Sequence, residues 1–461
     1  MRESYVDAIT DASDILVQTI LANEEGLCGR IRLSDSLIRD LVREVGRLVF
    51  AALVVHVVEQ VTADAKDPGM TPYRRSVVRF YCLFGAIEVA SPYLYNRQTR
   101  QSARPAQDIL GIRDHGRTIP LDRALSDFGI EESFGQAAKR FEEHYGWSVD
   151  RGLVRRVTQA AAVEAQEWEE ARLKAEETAY SESLDTRPGV DQMLAEMDGC
   201  EIRTGTLSPA PEVGNTAARN LPRRQREERW RDVRIGVVRP LDQEEATYVG
   251  GMDSYEKVGR RLFRAGVSVG LSSRTETICI ADGANGLMEE LMAQFPNVMF
   301  ILDRPHLVKH VYETAEAMGL VDETRTNWAK RLMERIDRGE VDHVIREMRE
   351  YRGLGHDRAR QLTGYIRRFR DCVDYDAYQG RGLPIGSGEV ESAHRWIPQK
   401  RLKIAGACWA PESIKPHASS TAHTSQRLLG RVLAAEASCM NQHSVTTPQA
   451  DASLVNCEDM L

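Results

Sequence analysis

The sequence predicts an α/β protein: an α-rich N-terminal region with one β-hairpin, then a mixed sheet interleaved with helices. Three patterns carry that prediction. Apolar residues recur at three- and four-residue spacing through Leu37, Leu41, Val45, Leu48 and Ala52, the period of a helix with one buried face. Ser76-Val-Val-Arg-Phe-Tyr and Ile87-Glu-Val-Ala alternate around Phe84-Gly85, which reads as a hairpin. Beyond Pro188-Gly189, short apolar runs alternate with amphipathic ones, the mark of strands between helices.

Taken in order, residues 1–120 form a helical N-terminal region with the hairpin at 74–97 and a polar loop to about 120. Residues 121–180 read as a helix-turn-helix-like DNA-binding segment. Phe134 to Tyr145 is its first helix, Gly146-Trp147 its turn, and Ser148 caps a second helix over Val149 to Trp168. Arg151, Arg155 and Arg156 stand near the start of that second helix, where a DNA-reading helix meets base edges; a plain pair of packed helices fits the same pattern. A charged stretch at 170–190 reads as a linker. Three strands follow, with the first ending at Asp198, the second at Asp232 to Arg239 and the third at Ala246 to Gly250. Tyr255 to Phe263 is helical, Thr277-Ile-Cys-Ile-Ala is a strand ending at Asp282, Leu287 to Phe295 is a helix, and Val298-Met-Phe-Ile-Leu-Asp303 is a strand. A charged helical insertion spans 306–380, and Gly386-Ser387-Gly388 opens a helix containing Glu391, with Ser387 as its expected cap.

Bulk properties narrow the function. The net charge of -8 excludes a uniformly basic nucleic-acid binder, so any DNA contact must come from local basic stretches. Eight cysteines are scattered without a CxxC pair, which argues for reduced thiols and against a zinc ribbon or disulfide framework. The longest apolar run, Leu48 to Val58, contains His56 and is too short to span a bilayer. With no targeting segment evident, the expected location is cytoplasmic and nucleoid-associated, with no membrane partner.

Three acids form the candidate centre. Asp198 and Asp282 each close an apolar strand and each precede a glycine; ligands of open α/β sheets bind beyond the carboxyl ends of strands. Glu391 lies in the first turns of its helix. Singly, a strand-terminal aspartate is more often a turn former or a cap. Jointly, three convergent carboxylates repel unless a cation neutralises them, and hard oxygen ligands select Mg²⁺ or Mn²⁺. Two such ions can activate a water or a 3′-hydroxyl and stabilise the leaving oxygen of a phosphoryl displacement.

Residues 384–409 resemble the glutamate signature of bacterial insertion-sequence transposases of the ISKra type: Gly386-Ser387-Gly388-x-x-Glu391-Ser392, then Arg401-x-Lys403, then Gly406-x-x-Trp409. Met197-Asp198-Gly199 resembles that family's first-aspartate strand, Ala281-Asp282-Gly283-Ala284 its second-aspartate motif, and Leu302-Asp303-Arg304-Pro305-His306 its Asp-x-x-His box. The resemblance covers roughly 190–410. It implies an RNase H-like catalytic domain with a helical insertion. It implies a metal-binding triad of Asp198, Asp282 and Glu391 on Mg²⁺ or Mn²⁺, with two ions, and a supporting role for Asp303 and His306. Asp303 competes with Asp282 for the second-aspartate role, and Glu391 is preferred to Glu389 because it precedes Ser392. The partners implied are transposon terminal inverted repeats, target DNA and a second copy of the chain. The activity implied is DNA cleavage at transposon ends and strand transfer. An inactive DNA-binding remnant and an RNase H-like nuclease are the alternatives.

Lys400, Arg401, Lys403, Arg367 and Arg368 are the DNA-contact candidates. A second basic cluster, Arg219, Arg223, Arg224, Arg226, Arg229 and Arg231, is interrupted by Glu227 and Glu228, which favours a salt-bridged face there. Trp409 is either a base-stacking residue or, more commonly for tryptophan, a core residue. Residues 415–461 depart from the family, which continues with a Leu- and Arg-rich helix; the tail instead holds three of the chain's 11 histidines and little amphipathic order. A frameshift after codon 414 would produce such a tail, and the neighbouring reading frames test it.

Overall fold

The computed structural model describes residues 34–66, 69–183, 188–208 and 226–414, with isolated positions between 10 and 22 and position 186. The 415–461 tail and Arg219, Arg223 and Arg224 lie outside the described residues. A long helix, α1 (Ser34–Asp64), leads into strands β1 (Met70–Cys82) and β2 (Gly85–Asn96). These pair antiparallel from Met70↔Asn96 to Cys82↔Gly85, and β3 (Ser102–Ala103) joins the edge of β2. Gly85 sits at φ 129°, a conformation that favours glycine. Phe50, Ala51, Val54 and Val58 of α1 pack on Phe80, Ile87 and Val89 of the strands.

After the short α2 (Pro105–Asp108) come three helices, α3 (Ile119–Glu131), α4 (Phe134–Tyr145) and α5 (Arg151–Ser183). They share a core of Leu121, Leu125, Phe141 and Val154. Ser133 caps α4 by accepting from the Gln136 N–H, and Gly146 ends it at φ 72°. Two expectations change here. Asp150, not Ser148, meets the start of α5, accepting the Gly152 N–H at 2.7 Å. The helix also runs on to Ser183, so most of the expected linker is helical. Its Ala- and Glu-rich composition has no breaker before Pro188.

The second unit is a five-stranded sheet in the order β6-β5-β4-β7-β8, formed by β4 (Gln192–Leu207), β5 (Arg226–Pro240), β6 (Thr247–Gly251), β7 (Glu276–Ala281) and β8 (Val298–Leu302). β5 pairs antiparallel with β4 on one side and β6 on the other, and β7 and β8 run parallel to β4 and to each other. Helices α6 (Tyr255–Ser268) and α7 (Leu287–Gln294) make the crossovers. Asp198 does not end β4. The strand passes through it, paired with Ile235, and continues to Leu207↔Arg226 as a two-stranded ribbon. Gly199 is a rung of that ladder, not a turn.

Strand alternation assigns the two faces of the sheet. Met193, Ala195 and Met197 join Val258, Leu262 and Ala265 of α6 in the main core. Val233, Ile235 and Val237 of β5 instead pack against Val390, Ala393 and Ile397, which belong to α13 (Gly388–His394) and the wider turn that follows it (Arg395–Leu402). Between β8 and α13 the chain folds into α8 (Arg304–Ala317), α9 (Asp322–Asp337), α10 (Val341–Glu350), α11 (His356–Arg368) and α12 (Tyr375–Gly380). This helical block packs into the main core through Leu307, Leu332, Ile336, Leu362 and Ile366. Among the described residues, no helix is long and apolar enough to cross a membrane.

Candidate metal centre

Register brings the acids together. Glu196, Ile280 and Ile301 form one continuous row across β4, β7 and β8. Two residues further along each chain stand Asp198, Asp282 and Asp303, which by the two-residue period take the same face as that row. Neighbouring strands lie about 4.8 Å apart. Three carboxylates therefore stand side by side on the face that α13 covers, and α13 adds Glu391.

Each acid has different partners. Asp198 Oδ1 accepts its neighbouring Gly199 N–H at 2.6 Å. Asp282 Oδ1 accepts the Ala284 N–H at 3.0 Å. Asp303 is fully buried and both of its oxygens are engaged. Oδ1 accepts the Ser387 N–H at 2.8 Å, while Oδ2 caps α8 through the His306 N–H at 3.0 Å and meets His306 Nδ1. Ligand atoms of Asp303, His306 and Glu391 lie within 4.8 Å of one another, a group that could hold a cation. Within it, Asp303 is already occupied in orienting His306 and the Gly-Ser-Gly loop, whereas His306 Nε2 and the Glu391 carboxylate are not part of that contact. A carboxylate that orients a histidine in this way is common behind metal ligands.

Charge within the cluster is unbalanced. Burial raises the Asp198 carboxyl above its ordinary range, with Asp282 adding to the rise and His394 and His306 opposing it. The hydrogen bond from Asp303 raises His306 above the usual imidazole range, and Asp282 and Asp198 add to it. Burial alone would raise Asp303, yet bonds from His306 and Ser387 outweigh it and hold that carboxyl low. Among the described residues, Asp303, His306 and Glu391 are the donors close enough to share one divalent cation; the sequence-predicted set of Asp198, Asp282 and Glu391 does not gather within that span.

Several residues that support the site carry no sequence signal of their own. Ser387 makes no side-chain cap to α13; buried Glu196 takes that place, accepting the Val390 N–H at 2.7 Å. Its burial pushes the carboxyl up to about 8. Glu389 points away into a two-pronged ion pair with Arg239 at 2.6 and 2.8 Å, which leaves Glu391 as the helix's acid for the site. The Tyr365 hydroxyl of α11 accepts the Gly283 N–H at 3.1 Å, tying the helical block to the turn after Asp282. His394, one turn beyond Glu391, lies with Nε2 3.4 Å from Asp198 Oδ2. An alternation count from Asp198 would have found Glu196, and an i+3 count from Glu391 would have found His394.

The basic candidates divide. Arg368 is committed to Asn285 at 3.0 Å and Glu289 at 3.0 Å. Arg367 is exposed and has no ion pair among the described residues. Lys400 lies 5.0 Å over the exposed Trp396 ring and 3.9 Å from Glu131. Lys403 is exposed; burial lowers His394 below the usual imidazole range, and Lys403 adds to that lowering. The backbone of Arg401 lies in the Arg395–Leu402 turn just before Lys403. Arg229 pairs with Glu227, and Arg203 with Glu228, so part of the second basic cluster is a salt-bridged ribbon. Trp409 is core: 8% exposed, with Nε1 donating to Leu402 O at 2.9 Å and its ring against Phe134. Arg155 and Arg226 line an open cleft of about 1070 Å³ between α5 and the ribbon.

No protein-family model matches the chain, and no curated protein matches it. Among solved structures the chain is similar to the Drosophila P element transposase strand transfer complex, at 10% identity and a TM-score of 0.32, over 70% of this chain and 96% of that one.

Proposed function

We propose that this chain is a DNA transposase with an RNase H-like catalytic unit at 190–410, cleaving transposon ends and joining them to target DNA. The observation that carries the reading is the row of Asp198, Asp282 and Asp303, two residues past Glu196, Ile280 and Ile301, facing the helix of Glu391. The strand order, three antiparallel then two parallel, and the long helical block before α13 agree with the fold that the ISKra-type signature implies.

Asp198, Asp282 and Glu391 are the residues that hold Mg²⁺ or Mn²⁺ in this reading. Asp282 is preferred to Asp303 because both oxygens of Asp303 are already bonded within the protein. Bound there, divalent ions supply Lewis-acid activation of the attacking oxygen and neutralise the leaving one. The protein's own residues do the rest. Asp303 fixes the His306 ring and anchors the Gly-Ser-Gly loop, Glu196 holds the first turn of α13, and Lys400, Arg401, Lys403 and Arg367 grip backbone phosphates beside the acids.

The test is nicking of a supercoiled plasmid that carries the DNA flanking the gene. Nicking is expected with Mg²⁺ or Mn²⁺ and not with EDTA. Asp198→Asn, Asp282→Asn and Glu391→Gln are each expected to lower the rate by more than about a hundredfold, beyond the loss typical of residues that only orient a ligand. Wild-type rates in those variants would overturn the assignment.

A further inference from the structure

His394 is 5% exposed, and its Nε2 has no hydrogen-bond partner among the described residues. Such an atom is costly to bury unless something binds it. That nitrogen lies 3.4 Å from Asp198 Oδ2, without the alignment of a hydrogen bond. Of the two ring nitrogens, Nε2 is the one that stands among the buried side-chain atoms without a partner. A neutral imidazole carries one N–H and one lone pair, and metal-bound histidines commonly give the N–H to a backbone carbonyl. Two ligands about 2.1 Å from one octahedral ion stand about 3 Å apart, close to the spacing seen here.

We propose that His394 is a further ligand in the acid cluster, its Nε2 joining the Asp198 carboxylate on one divalent cation. The inference rests on the metal-dependent reading above and adds a consequence to it. An imidazole beside carboxylates shifts preference from Mg²⁺ toward a transition ion such as Mn²⁺.

Pulsed electron paramagnetic resonance of the full-length protein loaded with Mn²⁺ tests it. The His306→Asn protein is expected to keep an imidazole-nitrogen coupling to Mn²⁺, because His394 remains. The His394→Asn protein is expected to lose that contribution and to bind Mn²⁺ about ten- to a hundredfold more weakly. No nitrogen coupling in the His306→Asn protein would overturn the proposal, and needs no change at the buried residue. An unaltered coupling in a folded His394→Asn protein would also overturn it while leaving the metal-dependent reading intact. A folded wild-type protein that binds no Mn²⁺ would overturn both.

Discussion

Glu196 stands two residues before Asp198, and its buried carboxyl is the clearest pH-sensitive group outside the acids themselves. The folded protein holds its proton up to about pH 8, whereas the unfolded chain releases it near 4.5. The folded state therefore binds more protons between those values. The stability it contributes is complete below pH 4.5 and is lost as pH rises toward 8, by at most roughly 1.4 kcal/mol per pH unit. Urea denaturation from pH 5 to 9 should show this decline in the wild-type protein and a flatter profile in Glu196→Gln, whose carbonyl still accepts the Val390 N–H. An equally steep decline in the variant would remove Glu196 as its source. At this scale the sequence was most legible where a residue type is unusual for its place: Asp198, Asp282 and Asp303 break or follow apolar runs, and Glu391 follows a Gly-Ser-Gly loop. Glu196 is hidden because a single acid inside a strand looks like any outward-facing residue until the covering helix is known. His394 is hidden because a lone histidine at the end of a short helix shows no burial until the sheet beneath it is known.

Elements were legible in kind and less so in extent. The strands of the sheet, the crossover helices and the helix of Glu391 follow from periodicity. Their ends depend on contacts between distant segments. Gly199 reads as a turn, yet β5 supplies partners that carry β4 on to Leu207. Ser387 reads as a cap, yet Asp303 takes its N–H and Glu196 caps the helix instead. Gly283 has a role that sequence alone does not show. A Cβ there would lie 2.1 Å from the Tyr365 ring, so the helical block can dock on the turn after Asp282 only over a glycine. Gly283→Ala should cost about 1–3 kcal/mol by overpacking, measured by urea denaturation. Adding Tyr365→Ala should bring less than the sum of the two single losses, since the clash is then gone. Strict additivity would mean that the two residues do not meet.

For the whole molecule, charge is the governing constraint. At a net charge of -8, phosphate contacts must come from local cations, and Arg368, Arg229 and Arg203 are already paired within the protein. DNA affinity should therefore depend on salt with a shallow slope. Replacing Lys403 by alanine should reduce the slope of log K against log salt by about 1, and weaken binding alike on all sequences. Fluorescence anisotropy of a labelled duplex between about 50 and 200 mM salt measures both; an unchanged slope would place Lys403 off the DNA. Joining of DNA ends as well as cutting them separates a transposase from a nuclease of the same fold. The direct measurement is strand joining: labelled duplex ends from the DNA flanking the gene, bearing free 3′-hydroxyls, are incubated with the full-length protein, Mn²⁺ and an unlabelled supercoiled plasmid. Label covalently transferred to plasmid by the wild-type protein, and none by Glu391→Gln, is the expected result. Cleavage by the wild-type protein without any joined product, or joining that survives Glu391→Gln, would contradict it.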